Sequence, residues 1–284
     1  MKGKRRLAMG ITLLAVAGML ALSLTGCGNS NALTGTLTLS GSTTVLPIAQ
    51  EAADQFMKSS PGTTVTVQGG GSSVGITQVD QGVVEIGDSS RELKDDETKM
   101  GLVDHKVAYD VIVVVVNPSM KVDSLSADQV KGIFTGSVTN WSQVGGADGT
   151  ITVVTRDSAS GTREMFDEKA LGSTKDNPVK LVAGAIEANS NGVMRQKVAS
   201  TPKGIGYISY GYLDKSVKPL QYNGVKGNLQ TALDKTYPLS RYLHMFTKGA
   251  ATGLAKSYID FVLSPDFQNS TVSKDYIPMT KVTQ

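Results

Sequence analysis

One cysteine and two histidines among 284 residues leave little room for soft-metal or redox chemistry. A lone Cys27 cannot close a disulfide within the chain, and no cysteine-based zinc site can be built from it. His105 and His244 stand far apart in sequence, with no motif around either. His244 sits among Tyr242, Leu243, Met245 and Phe246 and reads as a packed side chain. The patterns H-E-x-x-H and G-x-S-x-G are absent. So is G-x-x-x-x-G-K-[S/T], and Gly69-Gly70-Gly71 with Gly75 does not complete the dinucleotide pattern G-x-G-x-x-G. Acid runs such as Asp95-Asp96-Glu97 read as a solvated helix start. A phosphoester hydrolase needs a metal cluster or an activated nucleophile beside a base, and neither is visible.

Charge of one sign is also missing once the chain is divided. The formal net charge is +3, but Lys2, Lys4, Arg5 and Arg6 form a basic start with no acid nearby. Without those four, 24 bases face 25 acids, a net of −1. Such a surface gives no reason to expect nucleic acid or an acidic membrane as a partner. An anionic ligand would have to be held by local dipoles and one or two placed charges.

The basic start is followed by an apolar run over residues 7–24 and then Leu24-Thr25-Gly26-Cys27. This order reads as a secretory signal over 1–26. Small residues directly before a cysteine resemble the lipobox of bacterial lipoproteins, in which the thiol is diacylated and begins the mature chain. Residues 27–34 are small and polar and read as a tether. The roughly 257 residues that follow the leader exceed one ordinary core and suggest two lobes. Abundant glycine (31 residues) with 40% hydrophobic residues fits an α/β protein with many tight turns.

Strand and helix signals alternate along this part. Strands are expected over 36–40, 63–68, 83–86, 111–116, 151–155 and 205–210. Helices are expected over 47–58, about 74–81, about 126–135 with Ser126 as N-cap, 162–171, 189–200 and about 250–263. Val111 to Val116, five valines and an isoleucine, reads as a central strand buried on both faces. Strand, Gly/Ser/Thr turn and helix in repetition argue for parallel sheets with ligands bound beyond the carboxyl ends of the strands.

Three turns stand out: Gly41-Ser42-Thr43-Thr44, Gly71-Ser72-Ser73 and Ser160-Gly161-Thr162. Each sets hydroxyls and small residues at a helix start, where unpaired backbone N–H groups and the helix dipole favour an anion. Any one of them is explained as well by capping. Three in one chain, the last four residues after Arg156, point to an oxyanion, for which an arginine fork is well suited. Trp141 invites a stacking role, but Asn140-Trp141 reads as a structural turn.

Five segments occur in order: Gly41-Ser42-Thr43-Thr44-Val45-Leu46-Pro47, Gln68-Gly69-Gly70-Gly71-Ser72-Ser73-Val74-Gly75, Ile86-Gly87-Asp88-Ser89-Ser90-Arg91-Glu92-Leu93, Gly136-Ser137-Val138-Thr139-Asn140-Trp141 and Arg156-Asp157-Ser158-Ala159-Ser160-Gly161-Thr162. Together they resemble the substrate-binding lipoprotein of bacterial phosphate ABC importers, from about 36 to 282. The resemblance implies a two-lobed periplasmic-binding-protein fold of type II that closes on phosphate between its lobes. The implied phosphate ligands are Ser42, Thr43, Thr44, Ser72, Ser90, Arg156, Ser160, Gly161 and Thr162. The implied lobes are 35–113 with 240–284, and 114–239. Well-studied relatives carry an aspartate where this chain has Ser90, an acceptor that favours the proton of hydrogen phosphate over ionised sulfate. Asp88 is then a candidate acceptor, and Arg91 is either a further charge or a solvated side chain. The implied protein is no enzyme and needs no cofactor or metal. Its partners would be an ABC permease with its ATPase, and it would be a monomer held at the membrane by a lipid on Cys27. Sulfate or another oxyanion, and a surface sensor or adhesin without transport, are the alternatives.

Overall fold

The structure, a computed structural model, describes residues 33–282. The signal over 1–26, Cys27 and most of the tether lie outside the described residues. None of the described helices is long and apolar enough to cross a membrane.

The first elements are β1 (Gly35–Gly41), α1 (Leu46–Ser59), β2 (Thr63–Gly69), α2 (Ser72–Asp80), β3 (Ile86–Ser89) and the long β4 (Leu102–Val116). Then come β5 (Ser124–Leu125), α3 (Ala127–Thr135), β6 (Thr152–Arg156), α4 (Gly161–Leu171), β7 (Ile186–Ala188), α5 (Asn191–Ser200) and β8 (Gly204–Ser209). The chain ends with β9 (Lys218–Pro219), β10 (Gln221–Tyr222), β11 (Val225–Lys226), α6 (Leu229–Leu233), β12 (Ser240–Lys248), α7 (Gly253–Leu263) and α8 (Pro265–Ser270). The main sheet runs β2-β1-β3-β12-β4-β8-β6-β7, with β9 beside β4.

The expected all-parallel sheet is corrected here. β1 is parallel to β2 and β3, and β6 to β7 and β8, but β12 and β4 pair antiparallel with each other and with their outer neighbours β3 and β8. Two parallel blocks are therefore joined by a pair of long antiparallel strands. Val111–Val116 is buried on both faces as its composition demands, and the strand begins nine residues earlier than that run.

Two hydrophobic cores flank the joining strands. One gathers Leu37, Leu39, Ile86, Ala108, Leu243 and Tyr258 under α1 and α7. Leu37 and Leu39 are alternate residues on one face of β1. They meet the buried face of α1, Ile48, Ala49, Ala52, Ala53 and Phe56. Each such side chain contributes about 1.5–3 kcal/mol by leaving water. The other core is built on Val111–Val116, Phe134, Trp141, Phe166 and Tyr207, with Phe166 stacked on Tyr207 at 3.9 Å. Core membership changes between Ala108 and Val111 along β4, and between Leu239 and Leu243 along the chain into β12.

Several boundaries move. The strand expected over 83–86 lies at Ile86–Ser89, because these residues find partners on both β1 and β12 while Val83 remains 60% exposed. Asp88 and Ser89 thus belong to the strand and not to its exit loop. α2 starts at Ser72, two residues early, which puts its serines in the first turn. Ser126 caps α3 through a capping box, as expected. Ser264-Pro265 ends α7 but immediately begins α8, with Ser264 as cap and proline in the first turn.

Candidate functional site

The three glycine and hydroxyl turns meet. After β1 the chain bends so that Ser42 Oγ accepts from the Thr44 amide at 3.1 Å. Gly71 stands at the N-cap of α2, and its φ of +99° is a conformation that favours glycine. A Cβ there would stand 2.6 Å from the Ala159 carbonyl oxygen. α4 is capped by Ser160, whose hydroxyl accepts from the Arg163 amide at 3.1 Å. A Cβ on Gly161 would overlap Ser72 Oγ, so only glycine lets α4 come this close to α2.

Capping and ligand binding do not compete at these serines. A hydroxyl that accepts from an amide still has its own proton to donate.

All nine residues expected at the site are buried. Thr44 and Thr162 share a hydrogen bond of 3.0 Å between their hydroxyls. Ser72 Oγ lies 3.2 Å from Ser90 Oγ and accepts from the Ser90 amide at 3.0 Å. Arg156, the last residue of β6, donates from Nε to the Ala188 carbonyl at 3.1 Å and from Nη2 to Thr43 Oγ1 at 3.3 Å. Its Nη1 is buried with no partner among the described residues. Burial pulls the Arg156 pKa below its ordinary value, and the nearby Arg241 charge adds to this. The three turns thus meet one another, and the first of them is bonded to a guanidinium that no described carboxylate pairs.

Sequence reasoning missed four contributors. Asn191, at the start of α5, donates from Nδ2 to Thr43 Oγ1 at 3.3 Å and to Thr44 Oγ1 at 3.0 Å. Tyr212 donates to the Thr43 carbonyl at 2.6 Å, and burial pushes its hydroxyl up to about 12. Arg241 on β12 donates from Nη2 to Thr44 Oγ1 at 3.1 Å, Thr162 Oγ1 at 3.0 Å and Asp110 Oδ2 at 2.9 Å. Asp110 also accepts from Ser209 Oγ at 2.6 Å. Signals existed for two of them. Asn189-Ser190-Asn191-Gly192 is another small polar turn before a helix, and Asp110 is a charge directly beside an all-buried run.

Other expectations resolve differently. Arg91 is not solvated: it is 2% exposed, with Nη1 and Nη2 on the two oxygens of Glu97 at 2.6 and 2.8 Å and Nε 3.0 Å from Glu164. Glu97 is accordingly no solvated acid. Burial works against its charge, but the hydrogen bond and charge of Arg91 hold its pKa below the ordinary range.

The Asp88 carboxyl lies fully buried and hydrogen-bonds none of the site hydroxyls. Its burial drives the pKa well above the usual carboxylate value. Trp141 is buried as a structural residue, its indole donating to the Lys203 carbonyl at 3.0 Å. His244 is packed as expected, on Phe246, and its Nδ1 lies 2.8 Å from Asp104. With Glu92 it forms a grouping of metal-ligand type, but no residue of the site belongs to it. His105 lies against the Thr247 hydroxyl and His244 against Asp104, so among the described residues no hydroxyl of the site has an imidazole base. The arrangement can hold a small anion with several acceptor oxygens.

Residues 29–266 match the PBP superfamily domain. The chain is similar to the phosphate-binding protein PstS of Bacillus subtilis (strain 168), at 40% identity over 256 residues, 88% of this chain and 83% of that one. It is similar to PstS of Borreliella burgdorferi at 30% identity over 247 residues, 85% and 87% of the two chains. Among solved structures it resembles one from Clostridium perfringens with bound phosphate, assigned as a phosphate ABC transporter substrate-binding protein. The TM-score is 0.82 at 34% identity, covering 86% of this chain and all of the other. An ABC-type phosphate transport receptor from Vibrio cholerae matches with a TM-score of 0.71 at 36% identity, covering 85% and 99%.

Proposed function

Since the chain belongs to the PBP superfamily, among the two-lobed phosphate-binding proteins of ABC importers, we propose that it captures inorganic phosphate outside the plasma membrane and delivers it to an ABC permease for import. The observation that carries this is Arg156: a buried guanidinium bonded to the turn before α1, whose Nη1 has no partner and which has no carboxylate in a salt bridge among the described residues. A buried charge of this kind is costly unless compensated, and a tetrahedral oxyanion compensates it while offering acceptors to every neighbouring donor.

The proposed ligands are Ser42, Thr43, Thr44, Ser72 and Ser90 from one lobe and Arg156, Ser160, Gly161 and Thr162 from the other. We assign the lobes as 35–113 with 240–284, and 114–239. In support, the hydrophobic cores exchange members near these limits on β4 and before β12. Donors from both lobes on one anion favour the closed form, and closure is what a permease can read. The family is one of transport proteins and not of enzymes. Leu24-Thr25-Gly26-Cys27 supports diacylation of Cys27, which would keep a monomeric binder at the outer membrane face beside its permease.

Ser90 favours a second reading within the binding class. A hydroxyl donates as readily as it accepts, so a fully ionised sulfate is not repelled as it would be by a carboxylate. Calorimetric titration of the ligand-stripped protein with phosphate, and separately with sulfate, decides between them. One-to-one phosphate binding without sulfate binding is the expected result. Equal or tighter sulfate binding would change the substrate, and binding of neither would sink the oxyanion assignment.

A further inference from the structure

We propose that Arg241 is a second cationic ligand of the bound oxyanion, supplied by a crossover strand and not by either lobe's helix starts, with Asp110 as its positioning partner. This rests on the phosphate reading above. Arg241 and Asp110 face each other directly in the β12–β4 register, at the place where the two cores exchange members.

The geometry of the pair separates it from an ordinary structural salt bridge. Asp110 Oδ2 takes both Nε at 3.1 Å and Nη2 at 2.9 Å of Arg241, while Oδ1 is held by Ser209. This side-on grip uses one edge of the guanidinium and leaves Nη1 buried without a partner among the described residues. Arg91 differs: both its terminal nitrogens lie on Glu97. The Nη2 of Arg241 also reaches Thr44 and Thr162, whose hydroxyls bond each other across the site. The guanidinium therefore stands where the starts of α1 and α4 meet.

Charge balance points the same way. Arg241 lies close enough to Arg156 to disfavour its charge, and among the described residues Asp110 is the sole carboxylate in a salt bridge with either. Between the two arginines and this one salt-bridged carboxylate, one positive charge is left over, with two buried Nη1 atoms that have no partner among the described residues. An anion with several oxygens between them satisfies both, and no neutral ligand does. Because Arg241 rides on the strand where the lobes join, its bond to the anion fastens the ligand to the hinge itself. Asp110 does not touch the ligand. It fixes which edge of Arg241 is free.

The test is phosphate titration by calorimetry of the purified, ligand-stripped protein and of Arg241→Gln, Arg241→Lys, Asp110→Asn and the double variant Arg241→Gln/Asp110→Asn. Each is checked for one cooperative unfolding transition. Arg241→Gln should weaken binding about 30-fold or more, and lysine should recover part of the loss. Asp110→Asn should weaken it about tenfold, because the guanidinium loses its fixed edge.

The single Arg241→Gln variant leaves Asp110 buried and unpaired and can fail to fold. The double variant carries no buried charge at this place and keeps the question open to an answer. If it folds and binds phosphate within threefold of the parent, Arg241 is only a hinge pair and the proposal is overturned. If the parent itself binds no phosphate, the phosphate reading falls first, and this inference falls with it.

Discussion

Arg91 and Arg156 invite comparison because their sequence contexts are so similar. Each ends or follows a strand that points into the same junction, and each is almost fully buried, at 2% and 1% exposure. Their surroundings differ in one respect. Arg91 has two glutamates, Glu97 and Glu164, within ion-pair distance, although its Nε makes no well-aligned hydrogen bond to Glu164. Among the described residues Arg156 hydrogen-bonds to carbonyls and hydroxyls only, has one nitrogen without a partner, and has no carboxylate closer than the through-space charge of Asp157. Burial alone therefore says little about a cation's role. What separates a structural arginine from a ligand-binding one is whether the protein supplies the counter-charge.

The strongest way to break this comparison is to neutralise both. Arg156→Gln should lower phosphate affinity about 100-fold, since a charge-assisted pair in a dry site is lost. Its thermal midpoint without ligand should be unchanged or higher, because an uncompensated buried charge has been removed. Arg91→Gln should do the reverse. It strands Glu97 and should cost about 2–3 kcal/mol of stability. The figure sits below that of a fully buried pair because Glu164 is 33% exposed. Its affinity per folded molecule should stay within about fivefold, or about 1 kcal/mol. Equal losses of affinity in the two variants would erase the distinction.

A smaller effect sharpens the picture of how the lobes meet. Gly161→Ala places a Cβ against Ser72 Oγ. Overpacking of this kind costs about 1–3 kcal/mol, and on the lobes proposed above it falls between Gly161 of one and Ser72 of the other. Phosphate binding about tenfold weaker, with unfolding unaltered, is the expected result, and calorimetry with a melting curve checks both.

The smallest effect concerns Asp88, which has no counter-charge and belongs to neither arginine. Burial raises its pKa, so the folded protein holds this proton to higher pH than the unfolded chain does. The stability due to that proton is complete below the unfolded value of about 4 and is lost as pH rises through the folded value. Asp88→Asn should therefore gain about 1 kcal/mol in denaturant unfolding at pH 8 and nothing near pH 4. An equal gain at both values would mean that the charge is not the cause.

The turns were legible because their signal is local. Gly, Ser and Thr clusters before a helical run are visible without knowing what lies opposite; Ser72 and Ser160 fell where a helix begins, and Ser42 in the turn just before one. Arg241 was not legible. Its importance depends on a register that sets it against Asp110, 131 residues away in sequence, and a charge inside an apolar strand carries no local mark of its partner. The direction of the joining strands was hidden for the same reason. A β-branched run shows burial on both faces but not whether its neighbours run with it or against it, so β4 was expected in a parallel sheet. Val83 misled the placement of β3 because β-branched composition outweighed pairing, which only β1 and β12 could decide.

The position of Trp141 has an optical consequence. It is the chain's one tryptophan, buried in the core of Phe134 and Phe166 and bonded to a backbone carbonyl. Its emission will report the unfolding of that core and will stay silent as the cleft fills. The aromatic residue bonded to Thr43 at the site is a tyrosine, Tyr212. A fluorescent readout of ligand capture in this protein has to be introduced on the α1 side, where nature put no indole.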